Sequence, residues 1–175
     1  MKRIGLLSDT HGYLDQGIKK HFANCDEIWH AGDIGTENVS DALASWKPYR
    51  AVFGNIDGAK LRLMHPEDQV FEVEGVKVLI THIGGYPGRY VPRIRELIVK
   101  EKPKLYICGH SHILKVMYDK KNEVLHMNPG AAGISGFHQI KTLLRFVLDN
   151  GNIRDLEVIE LGQRTSKTPL TEALI

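Results

Sequence analysis

The chain has 175 residues, 42% of them hydrophobic and 25% charged, with a formal charge of +2. That balance fits one soluble globular domain and excludes disordered, collagen-like and coiled-coil classes. It is too weakly basic to mark a surface for long nucleic acid by its bulk field, and it holds no apolar run near the roughly 20 residues that span a bilayer. The basic start Met1-Lys2-Arg3 is followed only by Ile4 to Leu7 before Ser8-Asp9, which is short of a secretory signal. A cytoplasmic chain is expected, in which Cys25 and Cys108 are reduced thiols rather than a disulfide framework. Nine histidines are the one unusual entry in the composition.

In chain order, short apolar runs at Ile4–Leu7, Ile28–Ala31, Ala51–Phe53, Val76–Ile80 and Leu105–Cys108 each end in glycine and polar residues and predict strands. Amphipathic stretches lie between them. Leu14–Phe22, Thr36–Trp46 and Tyr90–Lys100 repeat apolar residues at helical spacing, and Pro103 follows the last. Val70–Val73 and Val76–Ile80 around Glu74-Gly75 predict a hairpin. A second hairpin is predicted for Thr142–Leu148 and Ile153–Ile159 around Asp149-Asn150-Gly151-Asn152, whose Asn-Gly pair is a strong turn signal. The expectation is a mixed α/β protein, with two sheets facing each other and helices outside, over a single domain 1–161. The polar stretch 162–175 is expected to be a tail, loose or in contact with a second copy.

Every run of the strand-helix series ends in a potential ligand. Asp9 and His11 follow the first, Asp33 the second, Asn55 the third, His82 the fourth, and His110 and His112 the fifth. The intervals are 22, 22, 27 and 28 residues from His11 to Asp33, Asn55, His82 and His110, about one strand-helix or hairpin unit each. Such spacing returns the chain to one sheet edge, the carboxyl ends of the strands, where α/β folds bind ligands. Two carboxylates, one amide oxygen and four imidazoles without a thiolate suit two divalent transition ions, Mn²⁺ first, or Fe²⁺, Zn²⁺ or Ni²⁺. His30 and His126 lie in apolar runs and read as core groups. His21 and His65 read as solvated, and His138 lies in a loop that could reach the site.

The ordered set Asp9-Thr10-His11, Gly32-Asp33, Gly54-Asn55, His82 and Gly109-His110-Ser111-His112 resembles the calcineurin-like metallophosphoesterase superfamily, and Gly54-Asn55-Ile56-Asp57 resembles its small bacterial and archaeal phosphodiesterase branch. The likeness covers residues 4 to 130. It implies a four-layer α/β/β/α sandwich with two mixed sheets, and hydrolysis of a small phosphodiester, nucleotides included, by in-line attack of a hydroxide shared between two ions. It also implies that Asp9, His11 and His112 hold one ion, that Asn55, His82 and His110 hold the other, and that Asp33 bridges them. Asp33, Asn55, His82 and Asp57 then form the catalytic set, with Asp57 as an acceptor for a ligand histidine or a turn residue.

The chain departs from the superfamily in three places. Ile56 stands where many members have a histidine able to protonate the leaving group, and the fourth motif continues as Ile83-Gly84-Gly85-Tyr86-Pro87-Gly88-Arg89. Arg89 and Tyr86 in that loop are candidates to bind substrate, against a plain reading as a solvated helix-entry loop. Ala131 follows Asn128-Pro129-Gly130, where the branch often has serine. The alternative function is a non-catalytic, metal-binding interaction module like the retromer subunit of the same fold.

Overall fold

The computed structural model describes residues 1–165. Two five-stranded sheets pack face to face with helices on their outer surfaces. The first has the order β10-β9-β1-β2-β3, formed by β1 (Lys2–Leu7), β2 (Glu27–His30), β3 (Tyr49–Ala51), β9 (Ile140–Asp149) and β10 (Asn152–Gln163). The second has the order β4-β5-β6-β8-β7, formed by β4 (Asp68–Val73), β5 (Val76–Thr81), β6 (Leu105–Ile107), β7 (Leu114–Asp119) and β8 (Val124–Pro129). Both are mixed. β1, β2 and β3 run parallel while β9 and β10 are antiparallel, and β5, β6 and β8 run parallel between antiparallel β4 and β7. The helices are α1 (Gly17–His21), α2 (Glu37–Trp46), α3 (Ala59–Met64) and α4 (Pro92–Glu101).

Strand alternation builds the layers, because successive side chains point to opposite faces. Ile4, Leu6, Trp29, Val78, Ile80, Leu105 and Ile107 fill the space between the sheets. Their neighbours face outward: Leu7 and Ile28 meet Ile18, Val39 and Leu43 of the first helical layer, and Leu79 and Tyr106 meet Ile94 and Ile98 of α4. This is the expected four-layer α/β/β/α sandwich. Trp29 anchors the middle layer. Its ring stands edge-on to Phe71 and Phe146 at 5.1 and 5.8 Å, and its indole N–H donates to Glu27, so truncation to alanine would cost about 3–5 kcal/mol.

Both predicted hairpins form. Glu74-Gly75 and Asn150-Gly151 have positive φ at both central residues, as a type I′ turn requires. Gly151 N–H donates to the Glu74 carbonyl at 2.6 Å, pinning one hairpin of each sheet to the other.

The structure also corrects the reading. The first helix is shorter than Leu14–Phe22 and begins at Gly17, whose N–H is taken by the Asp15 carboxylate. α3 and β7 carry no clear sequence signal, and β8 shows only as the apolar run around His126. The expected boundary at 161 falls inside β10, which continues to Gln163, and residues 166–175 of the expected tail lie outside the described residues. Among the described residues no helix is long and apolar enough to cross a membrane. Both cysteines are buried free thiols.

Candidate metal centre

Leu7 of β1 is in register with His30 of β2, and His30 with Ala51 of β3. The loops leaving these strands therefore start side by side. Asp9 N–H donates to Gly32 O and His11 N–H to Asp33 O, each at 3.0 Å, so the first two ligand loops zip together. In the other sheet Ile80 is in register with Ile107, and Gly109 N–H donates to His82 O at 3.0 Å. The ligand loops of the two sheets then meet across the top of the sandwich.

Seven side chains converge there. Asp9, His11 and His112 form one group of donor atoms, and Asp33, His82 and His110 a second, each within 4.8 Å mutually. In the first, the Nε2 atoms of His11 and His112 approach to 3.3 Å and lie 3.8 and 3.2 Å from Asp9 Oδ1. In the second, His82 Nε2 lies 3.2 Å from Asp33 Oδ1 and 3.1 Å from Asn55 Oδ1. Asp33 faces both groups, because its Oδ2 lies 3.6 Å from His11 Nε2. His82 Nδ1 meets the Ala31 carbonyl at 2.8 Å. A carbonyl only accepts, so Nδ1 carries the proton and Nε2 is left as the lone-pair donor.

The cluster favours bound positive charge. Burial alone would raise the Asp9 carboxyl, yet the neighbouring His11 and His112 imidazoles and the His82 charge outweigh it and hold the group well below the usual carboxylate range. In Asp33 too, burial alone would raise the carboxyl, but the adjacent His82 imidazole outweighs it and the group is lowered. The imidazoles move the other way: the Asp9 hydrogen bond raises His11, and in His82 the Asp33 bond outweighs burial. Burial and the His82 charge lower His110. Asp9 Oδ1 and His112 Nδ1 are buried without a hydrogen-bond partner. A buried carboxylate oxygen aimed at two imidazole nitrogens is costly unless it meets a cation, so this donor set fits a divalent ion.

The backbone pays a conformational cost for the convergence. Asp9, His11, Asp33, His110 and His112 all have φ between 48° and 67°, a region few L-residues adopt and in which Asn, Asp and His are the most frequent. Two glycines make room for ligands. A Cβ on Gly32, itself at φ +94°, would fall 2.6 Å from His82 Nδ1, and one on Gly54 would fall 2.0 Å from Asp33 Oδ1.

Other sequence candidates stand elsewhere. Asp57 does not orient a ligand histidine, a part taken for His82 by Ala31. Its buried carboxylate instead accepts three backbone N–H groups, from Gly54 at 2.7 Å, Gly35 at 2.8 Å and Ile34 at 3.2 Å. Ile56 is exposed, and its N–H donates to Asp33 Oδ1. Arg89 is exposed and lies outside the clefts that flank the centre, whereas Tyr86 lines the one beside His110. His30 is a core group as expected: it accepts from Gly32 N–H at Nδ1 and pairs with the Thr10 hydroxyl through Nε2. His65 departs from its solvated reading, being half-buried against Ser40 Oγ at 2.8 Å.

Two further residues border the site, Arg62 without any sequence signal and His138 as the loop histidine able to reach it. Arg62 donates to the carbonyls of Asp57, Gly54 and Asn55, holding the Asn55 turn from outside. His138 places its ring 5.2 Å from His112 while its Nε2 meets the Gly133 carbonyl.

The profile of the calcineurin-like phosphoesterase superfamily domain matches residues 1–151. The chain belongs to that superfamily. Metal-dependent phosphoester hydrolysis is its general chemistry, and the chain is a metal-dependent phosphoesterase. A "probable metallophosphoesterase" of Mycoplasma pneumoniae is 31% identical over 166 residues, covering 89% of this chain and 96% of the relative. One of Methanocaldococcus jannaschii is 30% identical over 134 residues, covering 73% and 67%. Among solved structures, an archaeal phosphodiesterase has a TM-score of 0.68 at 22% identity, covering 91% of this chain and 99% of its own. Vps29 of Chaetomium thermophilum has a TM-score of 0.72 at 15% identity, covering 93% and 100%. At these identities the structural likenesses show the fold.

Proposed function

We propose that this phosphoesterase is a phosphodiesterase that uses two divalent ions on a small diester. The split of the Asp33 carboxylate carries the reading, one oxygen toward His11 and the other toward His82. Asp9, His11 and His112 would hold one ion and Asn55, His82 and His110 the other, with Asp33 shared. The nitrogen and oxygen donors suit Mn²⁺, Fe²⁺, Zn²⁺ or Ni²⁺, of which Mn²⁺ is the first choice. Two such ions supply Lewis acidity, lowering the pKa of a water and neutralising charge on the phosphate oxygens.

The chain's own residues set the rest. Asp9, Asp33 and His82 form a buried floor, while Asn55 and His110 stand at the exposed rim where substrate arrives. Ile56 has no proton to give a leaving group, which favours a diester whose leaving group is stable as an anion. The open site takes a small phosphodiester, nucleotides included, in the cytoplasm. The fold likeness to Vps29 supports the rival, a non-catalytic scaffold. One such relative is described with Zn²⁺ bound, so metal content alone does not separate the readings and turnover must.

The test strips the protein of metal and reconstitutes it with each ion. Binding of about two ions per chain and faster hydrolysis of bis-para-nitrophenyl phosphate than of para-nitrophenyl phosphate are expected. No turnover with any ion overturns the phosphodiesterase reading in favour of the scaffold, and a dominant monoesterase activity overturns the substrate class.

A further inference from the structure

Two clefts of different size and charge flank the metal centre, and Ile83 lines both. On the Asn55 and His82 side lies a cleft of about 170 Å³ bearing Arg62 and Arg93. On the His110 side lies one of about 260 Å³, between the loop from Gly84 to Val91 and β7. Its walls include Tyr86, Val91, Ile83 and Ile113, and His110 and Ser111 join it to the centre. Ile83 and Ile113 are 40% and 61% exposed, so apolar surface is held open to solvent beside a polar reaction site.

The polar groups of this second cleft are mostly committed. Asn128 donates to Gly109 O and Ser111 Oγ and accepts from Gly130 N–H. His126 stacks on Tyr106 with rings 5.2 Å apart and 28° from parallel, burial pushes it down to about 4, so it is neutral at the cleft floor, and its Nδ1 is buried without a hydrogen-bond partner. The cleft therefore offers apolar walls, an aromatic ring and one cation, because Lys115 Nζ lies 3.6 Å from the centre of the Tyr86 ring. A flat π-system suits that combination, since it buries against the isoleucines and meets a ring and a cation together.

We infer that the cleft between Tyr86, Ile83, Ile113 and Lys115 is a subsite for a planar aromatic ester group of the substrate, aryl or nucleobase. The inference rests on the phosphodiesterase reading and narrows its substrate class. The cleft across Ile83 is smaller and places the Arg62 guanidinium over the Phe53 ring at 4.4 Å with Arg93 beside it, so the two ester groups of one phosphate meet surroundings unlike in size and charge.

The test keeps the leaving group constant, using para-nitrophenyl diesters whose second ester group is methyl, phenyl or thymidyl, with the Mn²⁺-loaded protein. The phenyl or thymidyl ester should exceed the methyl ester in kcat/KM by about tenfold or more, as expected from burying one ring. Preference for phenyl assigns a simple aryl group, and preference for thymidyl a nucleobase. Ile113→Ser, at an exposed position, and Tyr86→Ala should each bring the ratio to within about twofold. A ratio near one in the unaltered protein, or one unmoved by both variants, overturns the subsite. Absence of turnover of all three esters refutes the phosphodiesterase reading instead. Binding gives an independent readout on the metal-free protein. Phenyl phosphate should shift the NMR methyl signals of Ile83 and Ile113, and methyl phosphate should not; equal responses to both also overturn the subsite.

Discussion

Asp57 takes the backbone N–H of Gly35 at 2.8 Å, tying the turn that presents Asn55 to the loop that presents Asp33. With its bonds to Gly54 and Ile34, the same carboxylate fixes the spacing of Asn55 and Asp33, the terminal and the shared ligand of the proposed two-ion centre. Asp57→Ala would leave three buried N–H groups without their acceptor. It should cost about 3 kcal/mol of stability, seen as a fall of about 6–12 °C in the melting temperature of the metal-free protein. Metal affinity should fall by about 10- to 100-fold as well. Calorimetry and metal titration check this, and an unchanged melting temperature would show that the clamp contributes nothing.

The two ligand groups make different predictions for their members. Asp33→Asn alters the one side chain that faces both, so metal content should drop below one ion per chain and activity by at least about a hundredfold. His112→Ala touches only the Asp9 group and leaves Asp33, Asn55, His82 and His110 in place, so it should retain about one ion. Elemental analysis after equilibration and desalting distinguishes the cases. Equal loss of metal in both variants would contradict the division into two half-sites.

Two buried histidines outside the ligand set govern acid stability. Desolvation by burial pushes His30 down to about 3 and His126 to about 4, against 6.5 in the unfolded chain. Below pH 6.5 the unfolded chain therefore takes up protons that the native protein refuses. The stability conferred by each neutral imidazole is intact above that pH and is lost as pH falls toward the folded value, at about 1.4 kcal/mol per pH unit. His126→Phe keeps a ring against Tyr106 and removes the titration. Urea unfolding of the metal-free variant between pH 6.5 and 4 should show a decline shallower by that slope, and superimposable pH profiles would disprove the assignment.

The ligand set was legible because strand ends punctuate the sequence: an apolar run followed by Asp-Thr-His or Gly-His-Ser-His marks both the strand and what it delivers. The two type I′ turns were legible through their Glu-Gly and Asn-Gly pairs. α3 was not, since Leu61 is its one buried residue and no stripe forms. β7 is an edge strand with Leu114, Val116, Met117 and Tyr118 all exposed, so neither face carries a core pattern. β8 hides polar His126 and Asn128 inside a buried parallel strand, where their partners come from distant segments. For the same reason Asp57 was legible only as a turn residue and Arg62 was opaque: both act on backbone groups, which look alike in every sequence.

The left-handed bends at Asp9, His11, Asp33, His110 and His112 bear on how such a centre decays. Each costs an ordinary residue about 1–2 kcal/mol, and glycine would be relieved of that cost while giving up about 0.5–1 kcal/mol of chain entropy. For the backbone alone, exchanging a ligand for glycine is therefore close to neutral, although at Asp9, where it removes an unsatisfied buried oxygen, it also strands the His110 N–H that the other oxygen accepts. The architecture does not defend its own chemistry. A descendant could shed the ions and keep the sandwich, so on this scaffold the passage from catalyst to inert platform runs on level ground.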